Sequence, residues 1–207
     1  MVFLLLAISY LLFATPALAT QEFTSSITAT YVVNSAGVTT VTQEISLTNR
    51  LSNIYASQYS LTIGSTQVNN VSAFTSQGNL PATVTATANS TVIATTFPEN
   101  TRVVGKDQTL NFTITYQNLD IANKNGRVLE VNIPKLANVD EVDAYTVTLL
   151  VPVSFDQPTL ISPSPVSQQT TAQYRLLYFT KSELGRRSIS ALFGSYQNFA
   201  FNLRYHL

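Results

Sequence analysis

The chain has 207 residues, a formal net charge of zero, no cysteine and one histidine, His206. Only 11% of its residues are charged, against roughly 25% in an average soluble domain, so it offers no basic surface for nucleic acid or anionic lipid. The lack of cysteine excludes disulfides, a thiolate nucleophile and cysteine-ligated metals within this chain, and the length allows one large domain or two small ones.

The N-terminus has the pattern of a secretory signal. Residues 2–14 are continuously apolar, and Ala17-Leu18-Ala19 fits the small-residue cleavage site, so we expect a signal peptide over residues 1–19 that is cut before Thr20. The run is shorter than the ~20 residues of a membrane span. No lysine or arginine lies in or before it, which leaves an uncleaved N-terminal anchor as the alternative. Either reading predicts an exported protein, extracellular or at the cell surface.

The body of the chain is predicted to be all-β. The stretch 27–49 indicates a hairpin, in which the turn Asn34-Ser35-Ala36-Gly37 joins two strands, and Val41, Gln43, Ile45 and Leu47 share one face of the second strand. The predicted strands before the polar break at 117–126 are 23–33, 39–48, 56–63, 68–74, 83–88, 91–97 and 109–116. Those after it are 127–133, 144–151, 172–179, 189–193 and 199–207.

Short strands at even spacing are typical of β-sandwiches. We therefore expect two consecutive, immunoglobulin-like sandwiches, over residues 20–118 and 119–207. The chain stops inside the strand pattern 199–207, so we expect the second sandwich to be truncated at its C-terminus. Residues 152–169 carry several prolines and are predicted to be an extended, polyproline-like loop. Thr180 and Glu183 fit a capping box, which predicts a helix of one or two turns before Gly185.

No catalytic, cofactor or metal site is predicted. His206 would have to anchor any catalytic triad or zinc site, but it has no ligand-spaced partner and is expected to be a solvated strand residue. Asp140, Glu141 and Asp143 contain the oxygens that calcium prefers, yet they lack the alternating spacing of a calcium loop. We expect them to lie in a solvated connection. The segment Asp120, Asn123, Asn125 and Gly126 misses that spacing equally.

Three other groups of residues have ordinary structural explanations. Arg186-Arg187 fits a helix C-terminus better than a binding patch. The glycosylation triplets that start at Asn70, Asn89 and Asn111 arise readily by chance in a chain so rich in serine and threonine. Five tyrosines in or beside strands could line a carbohydrate-binding face, but core and cross-strand packing is expected for Tyr31, Tyr55, Tyr59, Tyr116 and Tyr145.

Several segments together resemble a known family. They are residues 24–65, the stretch VVGKDQTLNFTITY at 103–116, Ile133-Pro134-Lys135 and ALFGSYQNFAFNLRYHL at 191–207, with Asn49-Arg50-Leu51-Ser52-Asn53-Ile54-Tyr55 and Phe193-Gly194 as local motifs. They are similar to the N-terminal, non-catalytic region of exported transglutaminase-like proteins of candidate-phylum, Microgenomates-type bacteria. The resemblance implies a β-rich region that precedes a papain-type domain with a Cys-His-Asp triad.

This chain contains no cysteine, so no catalytic residue carries over and the chain is not expected to be an enzyme. We expect a non-catalytic module that positions or presents a transglutaminase-like domain beyond Leu207. The expected partners are that domain or a cell-surface protein, with no cofactor, no nucleic acid, and membrane contact only through an uncleaved N-terminal segment or a missing C-terminal anchor. The alternative is a free-standing surface adhesin or envelope structural protein; a hydrolase is the weakest hypothesis.

Overall fold

The computed structural model describes residues 22–136 and 139–194. The expected signal segment at 1–19, the strand at 199–207 and His206 lie outside these ranges. The described residues are mostly β-strand with very little helix, which confirms the all-β prediction. Within them, no helix has the length and apolar character that crossing a membrane requires.

The strands and short helices, in chain order, are as follows. The strands are β1 (Phe23–Val33), β2 (Thr39–Asn49), β3 (Gln58–Ile63), β4 (Val68–Thr75), β5 (Gly78–Leu80), β6 (Ala82–Ala86), β7 (Thr91–Thr96), β8 (Thr109–Asn118), β9 (Ala122–Asn125), β10 (Val128–Ile133), β11 (Ala144–Pro152), β12 (Pro158–Ser162), β13 (Ser167–Thr170), β14 (Tyr174–Thr180) and β15 (Ile189–Phe193). The helix α1 spans Lys181–Leu184, and single 3-10 turns span Glu99–Thr101, Val139–Glu141 and Val153–Phe155.

Two predicted irregular segments contain strands. The polar break at 117–126 contains β9, which pairs with β10, and the proline-rich segment at 152–169 contains β12 and β13. The prediction of a polyproline-like loop is therefore wrong for the residues of β12 and β13. Both are edge strands, where a proline at the first position removes no internal ladder hydrogen bond. Helix α1 follows Thr180, as the capping box predicted.

The strands form three sheets. The large sheet has eight strands in the order β13-β14-β11-β1-β2-β8-β4-β5. A four-stranded sheet has the order β12-β15-β10-β9, and a three-stranded sheet has the order β3-β7-β6. The hairpin of β1 and β2 occupies the middle of the large sheet, and its turn is fixed by the side-chain oxygen of Asn34, which accepts hydrogen bonds from the N–H groups of Ala36 and Val38.

The large sheet takes strands from both sides of residue 118. Strand β1 pairs with β2 in antiparallel register on one side, and with β11 in parallel register on the other. The expected domain boundary would therefore separate β1 from β11, which are hydrogen-bonded neighbours. One continuous apolar core, drawn from all three sheets, likewise contains residues from both sides of that boundary.

The inner face of the large sheet is covered by the two smaller sheets. Over β8, the rings of Tyr59 and Phe97 stack edge to face on Phe112, at centroid distances of 5.1 and 5.0 Å. Over β11, Ile133 and Ile189 of the four-stranded sheet lie close to Val147 and Tyr145. The smaller sheets share no strand, so a seam runs between them above the large sheet.

Candidate functional site

Three cavities follow the seam, which is defined by β3 and Gly64-Ser65 on one side and by residues 132–136 on the other. They are a groove of about 390 Å³ at one end, a small central cavity of about 30 Å³ and a polar cavity of about 170 Å³. Each is lined by residues from β3 or the two residues after it and by residues from β10 or the segment after it. The seam is therefore the main concave feature of the inner face.

The groove has an apolar floor and polar rims. Phe23, Ile27 and Leu47 of the large sheet contribute the floor. Along one side runs β3, with Tyr59, Ser60, Leu61 and Thr62, and along the other lie Leu136 and Val142. The carboxylates of Glu22 and Glu141 border the opening. An apolar floor with a few polar groups at the rim is typical of binding grooves.

The central cavity is surrounded by tyrosine hydroxyls. Tyr31, Tyr116 and Tyr145 are all buried, and so is Gln43, whose amide nitrogen donates to the Tyr116 hydroxyl at 3.4 Å. The small residue Ala29 lies opposite Gln43 in the strand register, which leaves room for these longer side chains. The side-chain oxygen of Gln43 is buried and has no hydrogen-bond partner among the described residues. The cavity has room for one or two waters.

Burial raises the pKa of all three phenols above the ordinary tyrosine value. The pKa of Tyr145 rises to about 12, and those of Tyr31 and Tyr116 are raised as well. A phenol with a raised pKa is a poor general base near neutral pH. The tyrosine cluster is therefore suited to core packing, as predicted for these three residues, and to hydrogen bonding.

The polar cavity contains a serine and a carboxylate. The Ser65 hydroxyl donates to Asp120 at 2.6 Å, and it accepts a hydrogen bond from the N–H group of Gln67 at 3.0 Å. A serine nucleophile needs a neighbouring base that takes its proton, most often histidine. No histidine lies in the described ranges. The contacts of Ser65 with Asp120 and Gln67 fix the turn after β3.

Two acidic residues before β11, Asp140 and Asp143, form ion pairs with different arginines. Asp143 binds Arg50 at 3.2 Å and accepts a hydrogen bond from the N–H group of Ser25, whereas Asp140 forms an ion pair with Arg186. Glu141 borders the groove. Arg186 thus has a structural partner, and its neighbour Arg187 is exposed. Within 22–136 and 139–194, no group of three or more acidic or histidine side chains could hold a metal ion.

The segment from Asp120 to Gly126 belongs to a hairpin. Asn123 and Asn125 lie in β9, opposite Glu130 and Val128 of β10, and Gly126 makes the turn with a φ of 62°. Two further predicted residues are Tyr59, which packs on Phe112, and Tyr55, which is 43% exposed and lies under the Arg102 guanidinium. The prediction of core or cross-strand packing is thus confirmed for Tyr59. It is wrong for Tyr55, whose side chain is exposed.

The motif that begins at Asn49 joins two loops. The buried Asn49 side-chain amide donates to the carbonyl oxygens of Ile54, Val103 and Gly105 at 3.1, 2.9 and 3.1 Å. The next residue, Arg50, donates to Thr24 and pairs with Asp143. These contacts tie residues 50–55 to residues 103–105, and they give the motif a structural role.

The outer face of the large sheet is a grid of hydroxyl groups. Thr148, Thr30, Thr42 and Thr115 lie side by side on four neighbouring strands, β11, β1, β2 and β8. The next row continues with Thr146 and Thr28, whose hydroxyls are 3.2 Å apart. Neighbouring strands place such side chains about 4.8 Å apart. Asn111, which begins one of the glycosylation triplets, lies on this face and accepts a hydrogen bond from Ser46.

The chain is similar in fold to parts of larger peptidases. An M1 zinc metallopeptidase from Deinococcus radiodurans, solved with a Tyr-Ser-Ala substrate, matches with a TM-score of 0.50 and 13% identity, over 87% of this chain and 44% of that one. An aminopeptidase N family protein from Idiomarina loihiensis matches with a TM-score of 0.50 and 10% identity, over 81% of this chain and 29% of that one.

The chain therefore spans less than half the length of these structures. No protein-family profile matches the sequence, and no curated protein matches it. At such low identity the likeness concerns the fold alone.

The sequence did not predict the seam. The residues that line it come from β3, β10 and the connections after them, and a periodicity argument cannot place two such remote segments side by side. One signal was present: Gln43 lies between Val41 and Ile45 on the buried face of β2. A buried amide in such a position needs hydrogen-bond partners, and it indicates polar groups in the core.

Proposed function

We propose that this chain is a non-catalytic, exported β-module that holds a catalytic domain carried by the same protein. The observation that carries the proposal is the extent of the structural match, in which 87% of this chain aligns with only 44% of a larger enzyme chain. The same arrangement of strands thus occurs as one part of a longer enzyme. The low content of charged residues, 11%, and the apolar segment at residues 2–14 support export.

The side-chain chemistry of the described residues supports a non-catalytic role. Ser65 has a carboxylate and backbone groups as partners. The buried tyrosines are neutral at physiological pH, and desolvation raises their pKa still further from that range. We expect purified residues 20–207 to show no activity on peptide amide substrates. Turnover that persists after rigorous purification would contradict the proposal.

A transglutaminase-like domain is our first choice for the catalytic part, on the resemblance of residues 24–65 and 103–116. A zinc peptidase domain is the second choice, because the structural match is to metallopeptidases. The reading frame after Leu207 distinguishes them. A papain-type domain with a cysteine, a histidine and an aspartate supports the first, and a helical His-Glu-x-x-His motif supports the second. A stop codon directly after Leu207 would contradict the proposal as a whole.

The threonine grid favours a second function, that of a surface adhesin or envelope structural protein. Its rows present hydroxyl and methyl groups with Glu44 as a single charged side chain among them. We would test it with the double variant Thr30→Lys and Thr42→Lys, which places two charges in the middle of the grid. If wild-type chain binds insoluble cell-wall material and the variant loses at least tenfold in affinity while keeping its thermal midpoint, the adhesin function is favoured.

A further inference from the structure

One edge of the three-stranded sheet lies open along the groove. Strand β3 is the outermost strand of the order β3-β7-β6, and the part of the chain that the structure describes provides no strand on its other side. An unpaired edge strand presents N–H and C=O groups that can accept another extended chain. Soluble proteins usually protect such an edge with charges or proline, yet Gln58–Ile63 contains neither.

The register identifies the backbone groups that face the groove. The N–H group of Phe97 donates to the Ser57 carbonyl at 2.9 Å, so the backbone of Ser57 faces β7. Backbone direction alternates along an antiparallel strand. The N–H and C=O groups of Gln58, Ser60 and Thr62 therefore point away from β7, toward the open edge. Ser60 and Thr62 line the groove, and their backbones have no further partner among the described residues.

The other edge of the same sheet provides an internal comparison. The N–H group of Thr96 donates to the Pro81 carbonyl at 3.2 Å, so the backbone of Val84 points away from β7 by the same alternation. Strand β6 is exposed along its whole length, and none of its residues lines the groove. The two edges thus differ in their surroundings although both are unpaired.

The groove walls suit an extended peptide with alternating side chains. Successive side chains of a strand point to opposite faces, so every second residue of an added strand would face Phe23, Ile27 and Leu47 on the apolar floor. The carboxylate of Glu22 borders the same groove, and it disfavours an acidic residue at the rim.

We propose that the groove binds an extended segment of a partner polypeptide as an additional strand next to β3. Its main chain hydrogen-bonds to Gln58, Ser60 and Thr62, and alternate apolar side chains occupy the floor. The preferred segment alternates apolar and polar residues and is neutral or basic. This mode of recognition uses the backbone for affinity and the floor for specificity. It goes beyond the proposed function and holds whichever domain follows this chain.

The test uses the full chain and two proline variants. A display library of random twelve-residue peptides is selected on the wild-type chain, and the enriched peptides are measured by fluorescence anisotropy. Ser60→Pro removes an edge N–H group that faces the groove, and Val84→Pro removes its counterpart on the opposite edge. Neither group bonds to β7, so both variants are expected to keep the wild-type thermal midpoint within a few degrees.

We expect the enriched peptides to alternate apolar and polar residues and to bind Ser60→Pro at least tenfold more weakly than wild type, with Val84→Pro unchanged. In hydrogen exchange by NMR, binding should protect the amides of Ser60 and Thr62 and leave Val84 unprotected. The proposal is overturned if no peptide is enriched, if both proline variants bind as wild type does, or if protection appears at β6 instead. A concentration-dependent dimer that Ser60→Pro dissolves would also overturn it, because the occupant would then be a second copy.

Discussion

Asn49 shows how a single buried amide can determine the shape of a surface region. Only 3% of its surface is exposed, and its side-chain nitrogen serves three carbonyl oxygens of two loops. Its own N–H donates to Gln108, and its carbonyl accepts from Asp107. Because an amide nitrogen is a donor only, no carboxylate of the same shape can replace it.

We expect Asn49→Ala to lower the free energy of unfolding by about 1–3 kcal/mol, since it leaves buried carbonyls without a donor. Asn49→Asp should cost more at neutral pH, because its carboxylate would face those carbonyl oxygens. Urea denaturation of both variants checks this order. Acidification toward the carboxyl pKa should narrow the difference between them, and an aspartate variant as stable as wild type would contradict the role assigned to the amide.

The buried tyrosines make stability depend on alkaline pH. Desolvation raises the pKa of Tyr31, Tyr116 and Tyr145 in the folded chain above the ordinary value of 10.0. Above that value the unfolded chain releases phenolic protons that the folded chain retains, so unfolding becomes more favourable as pH rises. Their contribution is complete below pH 10 and is lost progressively above it.

We therefore expect the thermal midpoint to fall steeply above about pH 10, together with a cooperative rise in tyrosinate absorbance. Tyr31→Phe should reduce this pH dependence, because phenylalanine cannot ionise. Exposed Tyr55→Phe is the matched control and should leave the dependence unchanged. If the thermal midpoints of Tyr31→Phe and Tyr55→Phe fall above about pH 10 as steeply as that of the wild type, the buried phenols do not cause the loss of stability.

At the scale of elements, the alternating pattern predicted the long strands well. The predicted bounds of β1 and β15 match the structure, and the bounds of β2, β7 and β11 differ by one residue at one end. All of them have one buried face, which gives the sequence a period of two. The strands that were missed are β5, β9, β12 and β13, which are short and mostly exposed edge strands. Strands β5, β9 and β13 pair through short turns with the strand next to them in the chain, and only β12 among these four pairs with a remote strand, β15. Their side chains are mostly exposed and carry no periodic signal.

The end of β15 depends on a glycine. Gly194 has a φ of 92°, and a Cβ atom placed there would lie 2.4 Å from the carbonyl oxygen of Arg127. The Phe193-Gly194 motif thus marks a close approach of two backbones. No side chain fits this position without a shift of the main chain.

We expect Gly194→Ala to lower the free energy of unfolding by roughly 2 kcal/mol or more, because backbone strain and a steric clash both contribute. Gly126→Ala is the control, since its φ is 62° and a Cβ atom there would meet nothing within 4 Å. That variant should cost only about 1 kcal/mol. Equal losses for the two variants, measured by chemical denaturation, would mean that the clash with Arg127 is relieved without cost.

At the scale of the whole molecule, the sequence predicted the class of fold but not the arrangement of sheets. Strand order depends on which remote strands pair, and β1 shows no local sign that its second neighbour is β11. The seam, the groove and the tyrosine cavity arise from that arrangement, so periodicity alone could not locate them.

The topology predicts that the two halves of the chain do not fold separately. A fragment of residues 20–118 would lack β11, the parallel partner of β1 over the register from Ser26 to Val32. We expect this fragment alone to show poor dispersion of its amide signals in NMR. Addition of residues 119–207 should restore native-like dispersion. A 20–118 fragment with a cooperative thermal transition of its own would instead support the two consecutive sandwiches expected from the sequence.

The pairing of β1 with β11 also determines when the central strand can complete its hydrogen bonds during synthesis. During synthesis, β1 and β2 emerge early, whereas Ala144, where β11 begins, follows more than a hundred residues after Phe23. Until then one long edge of the central strand has no native partner, and the nascent chain presents it to its surroundings. Such a late closure, with its high contact order, favours slow folding. The interval before closure is therefore when this chain is most exposed to misfolding and aggregation.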